Sequence, residues 1–260
     1  MLLTSTQNPK IKQLLALQQK SSERRRSGLF VVEGRRELEH GIAAGYEVES
    51  VFALETEPPY LTGLVAGESY TVSSHVYERI AYRGSTEGII AIMRAKEHTL
   101  QALSPQPSSR SLYIVLERVE KPGNLGAVLR SADAGGADGV IICDPLTDLY
   151  NPNLIRASIG ACFTVPTAVC SSEECIAFLK AHSVQILTAQ LQDSELYYDT
   201  DMTVPTAIVM GTESTGLTNV WREAADAHIR IPMLGRLDSL NVSVSAAILL
   251  YEAVRQRSAQ

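Results

Sequence analysis

Hydrophobic residues in the second half of the chain form short continuous runs, separated by segments with helical spacing. The runs at 139–143 (GVIIC) and 206–210 (TAIVM) have no alternating polar positions, which is typical of strands covered on both faces. We therefore predict an α/β fold with a mostly parallel sheet. The predicted strands are 112–119, 139–143, 184–189, 206–210 and 228–231, and the predicted helices are 125–134, 152–159, 173–181, 217–225 and 242–257.

The first third of the chain alternates in the same way but less regularly. Asn8-Pro9 opens an amphipathic helix to residue 19, and a basic loop is predicted over 20–26. Strands are predicted at 29–32, 48–54, 65–72 and 88–94, and helices at 35–44 and 74–82. The stretch 95–110 is polar and contains two prolines, as linkers do. We predict a small α/β domain over 1–95, a linker over 96–110 and a second domain over 111–260.

The composition is that of an ordinary globular protein, with 45% hydrophobic and 20% charged residues. No run approaches the roughly 20 apolar residues that a membrane span needs. Residues 1–20 carry three lysines and no continuous apolar stretch, so we expect no secretory signal and a cytoplasmic protein. The four cysteines, at 143, 162, 170 and 175, form no CxxC pair. We expect them to be reduced thiols and expect no metal site.

Positive charge is concentrated at the beginning of the chain. Residues 1–40 hold eight lysines and arginines against four glutamates, a net of +4, which leaves −10 on the rest because the total is −6. Since salt screens charges beyond about 8–10 Å, a local basic patch matters more to a phosphate than the total does. The alternative interpretation is that these basic residues simply belong to a solvent-exposed loop over 20–26.

Three segments at predicted strand ends carry polar residues and glycines. In 117–136, Lys121-Pro122-Gly123 forms a turn, Asn124 is the predicted helix N-cap, and Arg130 lies at the edge of the buried stripe. An arginine there is either a surface cation or a group that points into a cleft.

In the second segment, 210–217 (MGTESTGL), Gly211 permits a sharp turn or close approach to a ligand, and Glu213 follows in the loop. No GxGxxG follows any strand, which disfavours a Rossmann dehydrogenase. In the third, Ser239 and Asn241 precede a final helix that is apolar nearly all round, so we predict that it is buried on several sides or lies in a subunit interface.

Together these segments resemble the three motifs of the SpoU/TrmH branch of the SPOUT methyltransferases. NLGAVLRSADAGG resembles the first motif, MGTESTGL the second and IPMLGRLDSLNVSVSAAI the third. The resemblance covers about residues 111–257. The first domain resembles, less specifically, the ribosomal-protein-like RNA-binding domain that often precedes this catalytic unit.

The resemblance implies a sheet whose C-terminal segment forms a deep trefoil knot, which ordinary folding rules would not predict. It implies S-adenosyl-L-methionine as cofactor and methyl transfer to a ribose 2′-oxygen of RNA, with large-subunit (23S) rRNA favoured by analogy. It also implies the site residues. The cofactor-binding set is Met210, Gly211, Ile231, Met233 and Leu240, and the catalytic set is Arg130, Asn124, Glu213, Ser239 and Asn241.

Several expectations concern RNA and assembly. Candidate RNA contacts are Arg24, Arg25, Arg26, Arg35, Arg36 and Arg156. Tyr82, beside Arg83-Gly84, is a candidate for base stacking, although burial of the tyrosine is the favoured interpretation. The family implies a homodimer. The alternatives are tRNA ribose methylation, base methylation, and a non-catalytic RNA-binding or ribosome-assembly protein.

Overall fold

The computed structural model describes residues 2–56, 67–82, 87–103 and 110–258. It divides into two compact units, one formed by Met1–Glu97 with Asp148–Thr164 and the other by His98–Thr147 with Val165–Gln260. The first unit is therefore discontinuous in sequence. The predicted boundaries assign residues 148–164 to the second domain, whereas the structure packs them with the first unit.

The described elements up to residue 97 are β1 (Leu2–Leu3), α1 (Pro9–Gln19), α2 (Ser21–Ser27), β2 (Leu29–Glu33), α3 (Arg35–Ala43), β3 (Val48–Leu54), β4 (Glu68–Val72), α4 (Ser74–Ile80) and β5 (Ile89–Arg94). The five strands form a mixed sheet in the order β1-β4-β3-β5-β2 in the first unit. β5 is antiparallel to both of its neighbours, and the other pairs are parallel. Residues 65 and 66 of the predicted third strand lie outside the described residues.

The predicted basic loop at 20–26 is wrong, because α2 occupies most of it. The helix is anchored by Arg24, which is only 5% exposed. Its Nε lies 2.5 Å from Asp148 Oδ2, and Nη1 donates to the Leu17 carbonyl at 2.6 Å. The ion-pair partner of Arg24 thus lies 124 positions away in the sequence, where a local pattern could not reveal it.

The described elements after residue 97 are a 3₁₀ turn (Leu100–Leu103), β6 (Leu112–Glu117), α5 (Pro122–Ala134), β7 (Gly139–Cys143), α6 (Pro152–Ser158), α7 (Ala161–Thr164), β8 (Thr167–Cys170), α8 (Ser172–Ala181), β9 (Gln185–Ala189), β10 (Glu195–Leu196), a second 3₁₀ turn (Tyr197–Asp199), β11 (Thr206–Met210), α9 (Asn219–Ala224), β12 (Ala227–Arg230) and α10 (Val242–Ser258). Of these, α6 and α7 belong to the first unit. The seven strands form the sheet of the second unit in the order β10-β12-β9-β11-β6-β7-β8. All the pairs among them are parallel, which confirms the predicted sheet type.

One prediction about helices is wrong, and of the two alternatives predicted for the last helix only the subunit interface remains. Asn124 is not the N-cap of α5, because the helix begins at Pro122 with Lys121 in the capping position. The helix α10 is buried along one stripe that includes Ala246, Leu249 and Leu250, whereas Val244 and Tyr251 are exposed. Among the described residues, no helix is long and apolar enough to cross a membrane.

Candidate active site

A cavity of about 440 Å³ lies at the carboxyl ends of β9 and β11. This edge of a parallel sheet is where ligands of α/β proteins collect, because the loops that follow the strands surround a crevice there. The loop after β9, the loop after β11 and the beginning of α10 form its walls. Its lining includes the following residues: Ala189, Gln190, Leu191, Met210, Gly211, Thr212, Glu213, Arg222, Ser239, Leu240, Val242 and Ser245.

A smaller cavity of about 130 Å³ shares the loop after β11 with the larger one. It is bounded on its other side by residues that follow β6, including Lys121 and Asn124. Two neighbouring spaces therefore share one loop. This arrangement suits a site in which two reactants are held on either side of the 211–214 backbone.

Glu213 is the centre of a polar cluster beside these cavities, which we call the Glu213 cluster: Lys121, Asn124, Glu213 and Asn241. Glu213 Oε1 accepts from the side-chain amides of Asn124 at 3.0 Å and Asn241 at 2.8 Å. Lys121 Nζ lies 2.5 Å from the other oxygen, Oε2. Asn241 Nδ2 also donates to Asn124 Oδ1 at 3.1 Å. Three segments that are distant in sequence meet at this one carboxylate.

The Glu213 cluster keeps the carboxylate ionised. The hydrogen bond from Lys121 lowers the pKa of Glu213, and those from Asn124 and from the Val242 backbone add to it. The orientation of Asn241 is fixed from the other side, since its Oδ1 accepts from the backbone N–H and the hydroxyl of Ser243 at 3.0 and 2.6 Å. The cluster thus presents a fixed, charged arrangement of donors and acceptors.

Gly211 is required by the loop itself. A Cβ at this position would lie 2.3 Å from the carbonyl carbon and oxygen of Gly216 and 2.6 Å from the Leu217 nitrogen. Thr212 pairs with Gly216 in an isolated antiparallel bridge, which closes the loop on its own backbone. Gly211 is predicted to permit a sharp turn or close approach to a ligand; its Cβ position requires the turn, and the residue also lines the larger cavity.

Glu117, which sequence reasoning missed, ties the same loop to the sheet. It is buried at the end of β6. Its oxygens accept from the Thr218 backbone N–H at 2.9 Å and from the Thr218 hydroxyl at 2.5 Å. The sequence feature that could have identified Glu117 is its position as an acidic residue at the end of an otherwise apolar strand. Lys121 was also missed, because a lysine before a Pro-Gly turn has many ordinary roles.

The five predicted cofactor residues lie around two adjoining spaces. Met210, Gly211 and Leu240 line the larger cavity. Ile231, Met233 and again Leu240 line a space of about 140 Å³ that shares Ala189, Gln190, Leu191, Asp238, Ser239 and Ser245 with it. Backbone turns and apolar side chains at this edge are suitable for an organic ligand.

Two predicted catalytic residues lie outside the Glu213 cluster. Ser239 lines the larger cavity, and its hydroxyl donates to Asp238 at 3.3 Å. Arg130 is exposed on α5. It follows Asn124 by six helical residues, which corresponds to about 9 Å along the axis and about 240° around it. Arg130 lines neither cavity and, among the described residues, has no hydrogen bond or ion pair.

The arginines of the first unit that are predicted to contact RNA differ in how exposed they are to a phosphate. Arg25 and Arg36 are exposed, as is Arg26, which pairs with Glu23. Arg35 is half-buried. Arg24 is not available to a phosphate, because it is buried and committed to Asp148.

Arg156 and Tyr82 meet on the surface of the first unit. The Arg156 guanidinium lies 5.2 Å from the centre of the Tyr82 ring and donates to Asn153 Oδ1 at 2.9 Å. Tyr82 is 48% exposed, so the expectation that it is buried is wrong. The neighbouring Arg83 and Gly84 lie outside the described residues. The pair is suited to contact with an RNA base or phosphate.

Comparison with known proteins gives consistent results for both parts of the chain. A model of the SpoU rRNA methylase family matches residues 111–251, and a model of the MRM3-like substrate binding domain matches residues 8–91. The 23S rRNA (uridine(2479)-2′-O)-methyltransferase of Streptomyces viridochromogenes is 29% identical, over 97% of this chain and 92% of the relative.

Two solved structures extend over nearly the whole chain. An AdoMet-bound rRNA methyltransferase from Sinorhizobium meliloti is 30% identical with a TM-score of 0.90, covering 98% of this chain and 97% of its own. The crystal structure of an RNA 2′-O ribose methyltransferase is 41% identical with a TM-score of 0.85, covering 99% of this chain and all of its own. The likeness therefore includes both units.

Proposed function

The chain belongs to the SpoU rRNA methylase family, and from this we propose that it methylates a ribose 2′-oxygen of ribosomal RNA with S-adenosyl-L-methionine as methyl donor. The observation that carries the proposal is the Glu213 cluster, which three motif segments form beside a cavity at the carboxyl edge of the sheet. More finely, we propose large-subunit rRNA as the substrate, as the name of the Streptomyces relative indicates for that protein.

The larger cavity fits the cofactor. Its volume of about 440 Å³ lies within the roughly 300–1,000 Å³ typical of small-molecule sites. Gly211 contributes main chain without a side chain, and Met210, Leu240, Ile231 and Met233 contribute apolar surface. The bound cofactor supplies an electrophilic methyl group on a sulfonium. The residues of the chain must then position a ribose hydroxyl and stabilise the charge that develops on its oxygen.

Arg130 is the proposed group for this stabilisation. A ribose hydroxyl is a poor nucleophile at neutral pH. A guanidinium cannot act as an ordinary base, because it stays protonated under the conditions in which proteins work. We infer that Arg130 binds the hydroxyl oxygen and a flanking phosphate and stabilises the alkoxide electrostatically. Its exposed guanidinium is compatible with this role.

The Glu213 cluster and Ser239 complete the proposed site. Asn124 and Asn241 are held by Glu213, so that the loop after β11, the beginning of α5 and the beginning of α10 keep one arrangement around the reactants. Ser239, on the wall of the larger cavity, orients the cofactor side of the site. These are positioning roles that depend on hydrogen-bond geometry.

A homodimer is part of the proposal, because Arg130 and the Glu213 cluster are separated on one chain. The segment before α10 and the outer face of α10 expose apolar side chains: Leu234, Leu237, Val244 and Tyr251. Leu234 and Leu237 are 95% and 79% exposed, which is unusual unless a partner covers them. A second copy would then bring its Arg130 towards the first copy's cavity. The trefoil knot and the cytoplasmic location remain predictions of the same kind.

The first unit is proposed to hold the RNA. Arg25, Arg26 and Arg36 would contact phosphates, which position RNA without reading its sequence. Arg156 and Tyr82 would contact an unpaired base or a nearby phosphate. The match to a substrate-binding domain over residues 8–91 supports this division of roles.

The test is methyl transfer from labelled S-adenosylmethionine to total RNA that lacks its own modifications, followed by nuclease mapping. One labelled nucleotide in large-subunit rRNA that resists alkaline cleavage is expected, since a 2′-O-methyl group blocks the attack on the phosphate. Label that remains alkali-sensitive would indicate base methylation instead. Cofactor binding with incorporation only into tRNA would contradict the rRNA assignment, and failure to bind the cofactor would favour a non-catalytic RNA-binding protein.

A further inference from the structure

Three of the four cysteines converge in the second unit, although they are separated in the sequence. Cys143 ends β7 and Cys170 ends β8, and the two are direct partners in the parallel ladder. Cys175 lies on α8, which follows β8 at once. The sulfur atoms of all three lie within 4.8 Å of one another. The strand pairing and the following helix create this cluster, which we call the three-thiol cluster.

The three-thiol cluster is mostly buried, but a cavity reaches it from one side. Cys143 and Cys175 are completely buried in the core, whereas Cys170 is half-buried. Cys170 lines a cavity of about 620 Å³ together with Glu174 and His182. A small ion can therefore approach from the Cys170 side, and the Glu174 carboxylate makes that approach favourable for a cation.

The thiols are held in place by interactions that do not involve them. Ser172, at the beginning of α8, donates its hydroxyl to Asp144 Oδ2 at 2.6 Å and accepts from Trp221 Nε1 at 3.0 Å. Asp144 directly follows Cys143, so this network fixes α8 against the end of β7. The cluster is preorganised, which reduces the cost of ordering ligands around an ion.

Sulfur atoms bound tetrahedrally to one zinc-class ion lie at about 2.3 Å from it, so two of them are roughly 3.8 Å apart. The three sulfur atoms lie within 4.8 Å of one another, so side-chain adjustments of about 1 Å or less bring them to that distance. Thiolates prefer soft, d¹⁰ ions to Mg²⁺ or Ca²⁺.

We propose that Cys143, Cys170 and Cys175 bind one thiophilic divalent cation of the Zn²⁺ class, with water from the Cys170 cavity as a fourth ligand. Each thiol loses its proton to solvent as its sulfur–metal bond forms. The site is separate from the proposed methyl-transfer site, because none of the three cysteines lines its cavities. Its role is structural: the ion would join β7, β8 and α8.

The experiment loads the full-length protein with Cd²⁺ alone, as a spectroscopic substitute for Zn²⁺. The protein is first reduced with a thiol-free phosphine, and its four thiols are counted after denaturation. Thiolate-to-cadmium charge-transfer absorption is expected to saturate at one ion per chain. Competition with Zn²⁺ should abolish the absorption, and Mg²⁺ in large excess should not.

The fourth cysteine provides a matched control. Cys162 is also buried but belongs to the first unit. Cys162→Ser should retain the full signal, whereas Cys170→Ser should bind Cd²⁺ at least tenfold more weakly. Cys170 is the suitable position because it is half-buried, and its variant can be checked for folding by circular dichroism and cofactor binding. Cys170→Ala serves if the serine variant does not fold.

Several outcomes would overturn the proposal. They are the absence of charge-transfer absorption in fully reduced wild-type protein, equal binding by wild type and folded Cys170→Ser or Cys170→Ala, and loss of binding in Cys162→Ser. A Cys143–Cys170 disulfide that re-forms with oxygen as oxidant once the phosphine is removed, and blocks loading, would indicate a redox pair instead.

Discussion

The side-chain amide of Asn241 donates to Glu213 Oε1 at 2.8 Å, which joins the segment before the last helix to the loop after β11. The same nitrogen also donates to Asn124 Oδ1 at 3.1 Å. Asn241 therefore contacts both Glu213 and Asn124 within the Glu213 cluster. The three family motifs meet there through side chains, and the cluster can be tested one residue at a time.

Glu213→Gln removes the charge at the centre of the cluster while it keeps a carbonyl oxygen for the two asparagines. The loss of the Lys121 ion pair should loosen the loop and reduce kcat for methyl transfer by about 10- to 100-fold. Cofactor affinity should change little. Glu223→Gln, an exposed glutamate on α9, is the matched control. Wild-type kcat in Glu213→Gln would remove the cluster from the mechanism.

The pH dependence of the Glu213 cluster follows from the direction in which the pKa of Glu213 is shifted. The pKa of Glu213 is lowered from 4.5, chiefly by Lys121. The contribution of the ionised carboxylate is therefore present above the ordinary pKa and is lost only as the pH falls through the lowered value. The activity ratio of wild type to Glu213→Gln should stay constant from about pH 6 to pH 9. A ratio that changes within this range would mean that another group titrates with the cluster.

Arg130→Ala should reduce methyl transfer by at least about 100-fold, since it removes the proposed electrostatic stabilisation of the alkoxide. S-adenosylmethionine affinity, measured by calorimetry, should stay within about twofold, because Arg130 lines no part of the cofactor cavity. Lys180→Ala removes an exposed cation from the same unit and should be neutral. An active Arg130→Ala enzyme would refute the assignment.

Gly211→Ala should impair cofactor binding by more than about tenfold, because the new Cβ would collide with the backbone at Gly216 and Leu217 and force the loop open. Gly123→Ala is the control, since no other atom of the described residues lies within 4 Å of its Cβ position once its chain neighbours and its own helix backbone are left aside. Both are measured by cofactor titration and thermal unfolding. Equal cofactor affinity and equal thermal stability of the two variants would show that the loop after β11 tolerates the added Cβ.

Arg24→Ala should destabilise the protein by about 3–5 kcal/mol, because it leaves Asp148 without its partner in a nearly buried ion pair. Arg25→Ala should change the unfolding free energy by less than about 0.5 kcal/mol. Instead it should reduce the salt slope of RNA binding by about one. Denaturant unfolding and binding at several salt concentrations separate the two effects. A stable Arg24→Ala protein with a reduced slope would restore the original prediction for Arg24.

The parallel sheet of the second unit could be predicted from the sequence. Its central strands are continuous apolar runs, and such a run can be recognised without knowledge of distant contacts. The runs TAIVM and GVIIC became β11 and β7 with the predicted bounds. The short strands β8 and β10 were missed, since four and two residues give too little pattern to read.

Errors occurred where a distant partner decides the outcome. Residues 20–26 look like a solvated loop until Asp148 neutralises Arg24. Asn124 looks like an N-cap until Glu213, 89 positions away, accepts from its amide. The proximity of the three thiols could not be predicted either, because spacing along the chain does not reveal that Cys143 and Cys170 are ladder partners. Local propensity and periodicity contain none of this information.

The discontinuity of the first unit also bears on how the protein is made. Phe30 stacks on Tyr150 with ring centres 4.2 Å apart and lies 5.9 Å from the Phe163 ring, so the nascent first unit lacks part of its aromatic core until Thr164 has been synthesised. Translation proceeds at about 5–20 residues per second, so roughly 3–13 seconds pass between Glu97 and Thr164. During that interval Phe30 lacks two of its aromatic neighbours, and the ribosome holds a first unit that can only be finished after part of the second has emerged.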